Sequence, residues 1–178
     1  MPDHAFQVTA STVAPRTSTD AGSEPASAAP PKCEPLGPVV DRQLAVCRRN
    51  GTSLAVIVIS LGGFESIEPQ FRLGVESQLL CAAWNRLRGH LRATDLSVRL
   101  GATEFGVVLP DSAGPTAAIV DARLIDSLSQ PYGIGELEIV ISARAGVAVY
   151  PQSGMTGEAL ESEARQVMLT RATRRHGK

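Results

Sequence analysis

Two kinds of hydrophobic pattern follow one another along this chain, and they predict alternating strands and helices. Residues Leu54 to Ile59 form an unbroken apolar run rich in β-branched side chains, which is typical of a strand covered on both faces. Between Leu73 and Leu91 the apolar positions recur every three or four residues, which predicts a long amphipathic helix. We therefore expect the first segment to be the central strand of a sheet and the second to pack on it.

The remaining elements follow the same two periods. Further helices are predicted from Pro38 to a stop at Gly51, over Ala117–Leu128, and from Glu158 to about Arg171. Further strands are predicted over Leu96–Leu100, Glu104–Leu109, Leu137–Ala143 and Ala145–Val149. The first two of these strands are separated by three residues and predict a hairpin with its tip at Gly101. Because helices and strands alternate but one strand pair is a hairpin, we expect a two-layer α/β fold with a mixed sheet.

Composition divides the chain into three parts. Residues 1–36 are rich in alanine, serine, threonine and proline, and their six prolines interrupt any periodicity, so a disordered tail is predicted there. Residues 37–173 carry the periodic patterns and form the predicted domain. Residues 174–178 are basic, and we expect them to complement the negative end of the last helix.

Charge and hydropathy exclude several classes of function. Lys+Arg 17 against Asp+Glu 18 gives a net charge of -1, so neither nucleic acid nor a membrane surface is expected as a partner. The longest apolar run, Leu54 to Leu61, is too short to cross a bilayer, and the N-terminus lacks a signal pattern. The three cysteines are odd in number and not closely spaced, which predicts reduced thiols and no metal site. The expected location is the cytoplasm.

A family resemblance begins at the predicted hairpin tip. The stretch Arg99-Leu100-Gly101-Ala102-Thr103-Glu104-Phe105 resembles the Arg-Leu-Gly-Gly-Asp-Glu-Phe signature of the GGDEF family, the bacterial diguanylate cyclases. Ser60 to Phe64, Ser142 to Pro151 and the closing helix are also similar to that family, so the resemblance covers about residues 37–173. It implies a nucleotidyl-cyclase-like palm, in which a mixed, mostly antiparallel sheet is flanked by helices.

The resemblance also implies that the catalytic site is degenerate. Joining two GTP molecules is phosphoryl transfer, which needs a divalent metal held by carboxylates. The family's first metal carboxylate corresponds to Ser60, and the acidic third residue of the signature corresponds to Thr103. The pair that holds the substrate guanine corresponds to Glu68 and Pro69. Further substrate-contacting positions read Ser77, Leu169, Arg171 and Ala172. We expect no Mg²⁺ cofactor, no catalytic residue and no cyclase activity.

A second site of the family is retained in the sequence. Many diguanylate cyclases are inhibited by their product, cyclic di-GMP, through an Arg-x-x-Asp stretch before the signature, and Arg92-Ala93-Thr94-Asp95 has that register. Arg123 corresponds to a third contributor on the following helix. An arginine can donate to guanine O6 and N7 or to a phosphodiester, and an aspartate can accept from the opposite edge of guanine. The simpler interpretation is that Arg92 and Asp95 form an exposed ion pair.

Three hypotheses follow from these features. The first is a non-catalytic receptor for cyclic di-GMP, a second messenger, that passes the signal to a protein partner. The second is an inactive scaffold that pairs with a cyclase or another signalling protein, such as another GGDEF-containing protein, or with a second copy of itself as a homodimer. The third is an enzyme with weak diguanylate cyclase activity, which the uncharged residues Ser60, Thr103 and Pro69 make the least favoured.

Overall fold

We describe the chain from a computed structural model, which covers residues 31–67 and 69–175, apart from the side chains of residues 66, 69–73 and 172–175. Four α-helices and six strands are present in these residues. In chain order they are α1 (Leu36–Asn50), β1 (Leu54–Gly62), α2 (Pro69–Gly89), β2 (Leu96–Arg99), β3 (Glu104–Pro110), α3 (Gly114–Leu128), β4 (Tyr132–Ile134), β5 (Leu137–Ile139), β6 (Ser142–Tyr150) and α4 (Gly157–Arg175). None of these helices is long and apolar enough to cross a membrane.

The main sheet is built around β1. Its strand order is β2-β3-β1-β6, and each of the three neighbouring strand pairs is antiparallel. Within the described residues, the parallel contribution is an isolated bridge between Cys33 and Arg99. The predicted central strand and the mostly antiparallel sheet flanked by helices are therefore confirmed.

Helices cover both faces of this sheet, so the prediction of two layers is wrong. Ile57 and Ile59 point to one face and pack in a core shared with α2 and α3. Val56 and Val58 point to the other face and pack in a core shared with α1 and α4. Because successive side chains of a strand point to opposite faces, a strand that is apolar throughout requires helices on both sides. The fold has three layers.

The end of the sheet also differs from the sequence-based expectation. Leu137–Ile139 pairs with Tyr132–Ile134 in a separate two-stranded sheet, and Ser142–Tyr150 is one continuous strand. The two predicted strands, Leu137–Ala143 and Ala145–Val149, leave Arg144 between them as a boundary. Arg144 lies within β6, at the edge of the sheet, where its side chain is exposed to solvent. A charged residue is readily accommodated on an edge strand, so it gave a false strand boundary.

The domain boundaries are wider than predicted. Cys33 bridges β2, and Leu36 is fully buried as the first residue of α1, so the expected disordered tail does not extend through residue 36. At the other end, α4 continues through Arg175, beyond the predicted boundary at residue 173. The predictions for residues 1–30 and for 176–178 lie outside the described residues.

The N-termini of α1 and α4 cap each other. The carboxylate of Asp41 in α1 accepts a hydrogen bond of 2.7 Å from the backbone N–H of Gly157 in α4. The carboxylate of Glu161 in α4 accepts one of 3.1 Å from the backbone N–H of Gly37 in α1. Each carboxylate thus satisfies an N–H that has no partner within its own helix, at the positive end of the helix dipole. This exchange fixes α4 against α1 on one face of the sheet.

The close approach of these helices predicts that Gly157→Ala is destabilising. A Cβ at Gly157 would lie 2.1 Å from the carbonyl oxygen of Gly37, so the backbones must separate. We expect the free energy of unfolding to fall by about 1–3 kcal/mol. Gly114→Ala is the matched control, because Gly114 also begins a helix but a Cβ there meets nothing within 4 Å. Urea denaturation measures both, and an equal effect of the two substitutions would contradict this interpretation.

Candidate functional site

The hairpin that carries the signature is fixed by hydrogen bonds to its carbonyl groups. The guanidinium of Arg99 donates to the carbonyl of Gly101 at 2.9 Å and to that of Ala102 at 3.3 Å. The backbone N–H of Leu61 donates to the carbonyl of Thr103 at 2.9 Å. Phe105 is fully buried, and its ring centroid lies 5.5 Å from that of Trp84. Phe105 is thus a core residue, and Arg99 stabilises the turn.

The sheet register places Ser60 next to the remaining carboxylate of the signature. Ser60 is opposite Glu104 of β3 on one side and opposite Arg144 of β6 on the other. Directly opposed residues present their side chains on the same face of a sheet. The position that the resemblance assigns to a metal carboxylate therefore carries a hydroxyl between a carboxylate and a guanidinium.

The carboxylate of Glu104 is already paired within the domain. Its Oε2 atom accepts a hydrogen bond of 2.9 Å from the guanidinium of Arg165 in α4. Arg165 also bonds Glu161, one turn earlier in α4, at 3.1 Å. The hydrogen bond to Glu104 raises the pKa of Arg165 above its ordinary value. Sequence reasoning missed Arg165, because the residues that it joins are distant in the chain and only its spacing from Glu161 gives a local signal.

Asp95 closes a turn instead of pairing with the side chain of Arg92. The backbone N–H of Asp95 donates to the carbonyl of Arg92 at 3.0 Å, and the backbone N–H of Arg92 donates to Oδ2 of Asp95 at 2.8 Å. Within the described residues the guanidinium of Arg92 has no hydrogen-bond or ion-pair partner, and it is exposed. The structure therefore does not contain the ion pair between these two side chains that the simpler interpretation predicted. The carboxylate preorganises the turn and leaves the arginine free.

Arg123 reaches the same end of α2 from the neighbouring helix α3. Its guanidinium donates to the carbonyl of His90, just beyond the last residue of α2, at 2.7 Å. His90 also makes a side-chain hydrogen bond of 2.7 Å with Ser127 of α3. A cation at the C-terminal end of a helix satisfies free carbonyls and complements the helix dipole. The guanidinium of Arg123 is therefore held at His90, which precedes Arg92 by two residues in the chain.

The structure brings the three predicted ligand residues to one end of α2, but not into one groove. Arg92 and Asp95 line a surface groove of about 630 Å³, whereas Arg123 does not line it and lies on the α3 side of the helix end. Within the described residues, no group of three or more histidine, cysteine, aspartate or glutamate side chains is placed to hold a metal ion.

Arg86 is a further residue at this helix end that sequence reasoning missed. Its guanidinium donates to three carbonyls that follow or end α3, those of Ser127 at 3.1 Å, Gln130 at 2.8 Å and Pro131 at 2.9 Å. It also lies 3.7 Å from the centroid of the Tyr132 ring. Arg86 of α2 and Arg123 of α3 thus each cap the end of the other's helix. The available signal was a basic residue in the last turn of α2.

Comparison with known proteins identifies the family of this chain. A family profile described as diguanylate cyclase, GGDEF domain, matches residues 38–178. The bifunctional diguanylate cyclase/cyclic di-GMP phosphodiesterase MucR of Pseudomonas aeruginosa is 32% identical over 120 residues, 67% of this chain and 18% of MucR. The diguanylate cyclase TpbB of that organism is 30% identical over 131 residues, 72% of this chain and 30% of TpbB. The chain therefore spans less than a third of these curated relatives.

Solved structures show the same fold. A sensory box/GGDEF family protein from Caulobacter crescentus matches with a TM-score of 0.70 and 30% identity, over 76% of this chain and 88% of that protein's chain. The GGDEF domain of TpbB matches with a TM-score of 0.70 and 28% identity, over 75% of this chain and 79% of that one.

The reciprocal caps predict that Arg86 is structurally important while its neighbour Arg88 is not. Replacing Arg86 with alanine removes three hydrogen bonds from a charged donor and the contact with Tyr132, so we expect a loss of about 2–4 kcal/mol in the free energy of unfolding. Arg88→Ala on the same helix removes a cation with no hydrogen-bond partner in the described residues and is expected to change stability by less than about 0.5 kcal/mol. Chemical denaturation distinguishes them, and equal losses would contradict the capping role.

Proposed function

This chain belongs to the GGDEF domain family, and from that premise we propose that it is a non-catalytic member that binds cyclic di-GMP through Arg92, Asp95 and Arg123. The observation that carries the proposal is the turn at the end of α2, in which Asp95 holds the backbone of Arg92 while the guanidinium of Arg92 stays unpaired among the described residues. A free cation on a preformed turn needs little rearrangement to bind an anion.

The donor set at the signature supports the absence of catalysis. Mg²⁺ prefers several oxygen ligands, with carboxylates supplying the charge. Ser60 and Thr103 offer only hydroxyl groups, and the carboxylate of Glu104 is engaged by Arg165. A metal ion would have to displace this guanidinium, and among these three positions it would then find one carboxylate, since Glu161, the other partner of Arg165, caps the backbone N–H of Gly37. These residues do not fit the metal-dependent transfer of a nucleotidyl group.

The chemistry of Arg92 and Asp95 suits a guanine. Arg92 offers a planar fork of N–H donors, which matches the O6 and N7 acceptors of guanine or two phosphodiester oxygens. Asp95 uses Oδ2 to close the turn, so its Oδ1 atom remains to accept from the N1–H and N2–H groups of a guanine. The turn therefore presents donors and an acceptor from one rigid segment.

Arg123 adds a second cation near this turn. One of its N–H groups bonds the carbonyl of His90, and the others remain available to a ligand. Two arginines and one aspartate carry a net charge of opposite sign to that of cyclic di-GMP, which has two negative phosphodiesters. The site is thus electrostatically complementary to the ligand although the whole chain has a net charge of -1.

A protein with the same fold has been solved with this ligand. The GGDEF domain of DgcB from Caulobacter crescentus has been solved in complex with c-di-GMP, and its likeness to this chain, with a TM-score of 0.68 and 16% identity, concerns the fold. Within this proposal the receptor acts on a protein partner, such as another GGDEF protein or a second copy of the chain. The alternative to a receptor is a scaffold that binds no ligand. The titration with cyclic di-GMP described next distinguishes the two.

Calorimetric titration with cyclic di-GMP, in a buffer without divalent metal, tests the receptor. We expect a dissociation constant in the micromolar range or tighter, and at least tenfold weaker binding by Arg92→Ala, because the free guanidinium supplies charge-assisted hydrogen bonds. Arg49→Ala is the matched control, since it removes an exposed arginine at the end of α1. No heat at high ligand concentration would exclude the receptor and leave the scaffold.

Incubation with GTP and Mg²⁺ tests the absence of catalysis separately. We expect chromatography to show unchanged GTP, because Glu104 is paired with Arg165 and Ser60 carries no charge. Arg165→Ala is expected to restore no activity, because it frees Glu104 and Glu161 but adds no carboxylate at Ser60 or Thr103. Any authentic cyclic dinucleotide formed by the unmodified chain would overturn this part of the proposal.

A further inference from the structure

A groove crosses the β2 edge of the sheet beside the Arg92–Asp95 turn, from α1 on one face to α2 on the other, and we name it the α1–α2 groove. Its volume is about 630 Å³. Val39 and Arg42 contribute from α1, and Arg88 contributes from α2. Because the turn forms part of its wall, a ligand held by Arg92 has the groove directly beside it.

The floor of the groove is apolar. Val39, Trp84 and Val98 line it and are largely buried, with only 4%, 5% and 8% of their surface exposed. Since these side chains are fixed in the cores on the two faces of the sheet, the floor is rigid. A rigid apolar floor is suited to the flat face of a base or to a ribose.

The rim of the groove has an excess of positive charge. Arg42, Arg88 and Arg92 line it together with Glu34 and Asp95. Within the described residues the guanidinium groups of Arg88 and Arg92 have no hydrogen-bond or ion-pair partner, and both residues are exposed. Arg42 is 3.8 Å from the carboxylate of Glu34, in a pair in which both side chains are more than half exposed. Such a pair contributes little stability and is readily exchanged for another anion.

We propose that the α1–α2 groove is a second subsite for the same cyclic di-GMP molecule, in which Arg88 and Arg42 bind a phosphodiester and the apolar floor takes a ribose or guanine face. This inference rests on the proposed function, because it requires that Arg92 and Asp95 hold the neighbouring guanine. Arginine forks match the geometry of phosphate oxygens, and the excess of cations is complementary to the ligand.

Binding in this subsite has a consequence for the segment before α1. The phosphodiester competes with the carboxylate of Glu34 for Arg42. The backbone N–H of Glu34 donates to the carbonyl of Arg99 at 2.8 Å, so the segment stays attached to β2 while the side chain of Glu34 is displaced. Glu34 therefore lowers the affinity for the ligand, and its removal is expected to increase that affinity.

Calorimetric titrations of the whole chain with cyclic di-GMP test the subsite. We expect Arg88→Ala to weaken binding about tenfold, Arg42→Ala to weaken it by a smaller factor, and Glu34→Gln to tighten it by about twofold to fivefold. Glu138→Gln on β5 is the control, because it makes the same change in net charge at an exposed position outside the groove. A gain in affinity from Glu34→Gln but not from Glu138→Gln is a result that general charge effects do not produce.

Two contrary outcomes are distinguishable. If the ligand binds and Arg92→Ala weakens it, but Arg88→Ala, Arg42→Ala and Glu34→Gln leave the dissociation constant within twofold, the subsite is excluded and the receptor stands. If the unmodified chain produces no heat, the receptor and its subsite are both excluded. Thermal unfolding of each variant shows whether it is folded, and Arg88→Gln replaces Arg88→Ala if the alanine variant is not.

Discussion

The structure depends on β1 being apolar on both faces. Because the side chains of Leu54 to Ile59 are apolar on both faces and must be buried, helices have to cover the sheet above and below. The strands β3 and β6 flank β1 and pair with its backbone. The chemistry of the domain is therefore confined to the ends of elements. The signature lies where β1 ends and β3 begins, and the Arg92–Asp95 turn lies where α2 ends. These two places are held by different helices, since Arg165 of α4 reaches the first and Arg123 of α3 reaches the second.

The two places differ in what their charges are free to do. At the signature, Glu104 is neutralised by Arg165, and the guanidinium of Arg99 is used to hold the turn. At the end of α2, the carboxylate of Asp95 is used to shape the turn, so that Arg92 keeps an unpaired charge. In the proposed function, internal pairing opposes cation binding at one place, while internal hydrogen bonding prepares an anion site at the other.

Local patterns predicted the parts of this fold that local forces determine. The continuous apolar run gave β1, and helical spacing gave α2. The number of layers was predicted wrongly because the helices were not assigned to the two faces of β1 that had to be covered. The interruption at Arg144 was misinterpreted because its place on an edge strand is a property of the whole sheet. Contacts between distant residues, such as that of Glu104 with Arg165, have no local signature in the chain.

The sequence predicted only the local part of the candidate site, because its other contacts join residues that are distant in the chain. The spacing of Arg92 and Asp95 is a local signal, but it does not distinguish an ion pair between the side chains from a hydrogen bond between the carboxylate and the backbone. The structure contains the hydrogen bond to the backbone. The placement of Arg123 at His90 depends on how α3 packs against α2. Arg88 and Arg42 come from helices that the fold alone brings to one groove.

The central claim is that the charge at the end of α2 binds a nucleotide while the signature edge does not. Amide chemical shifts of a ¹⁵N-labelled chain, measured during separate titrations with cyclic di-GMP and with GTP plus Mg²⁺, test it most directly. The account predicts that cyclic di-GMP shifts the amides of residues 88–97 and leaves those of 60–63 and 101–104 unchanged, and that GTP with Mg²⁺ shifts neither group. Shifts at residues 60–63 and 101–104 with GTP and Mg²⁺, without any at 88–97 with cyclic di-GMP, would contradict it.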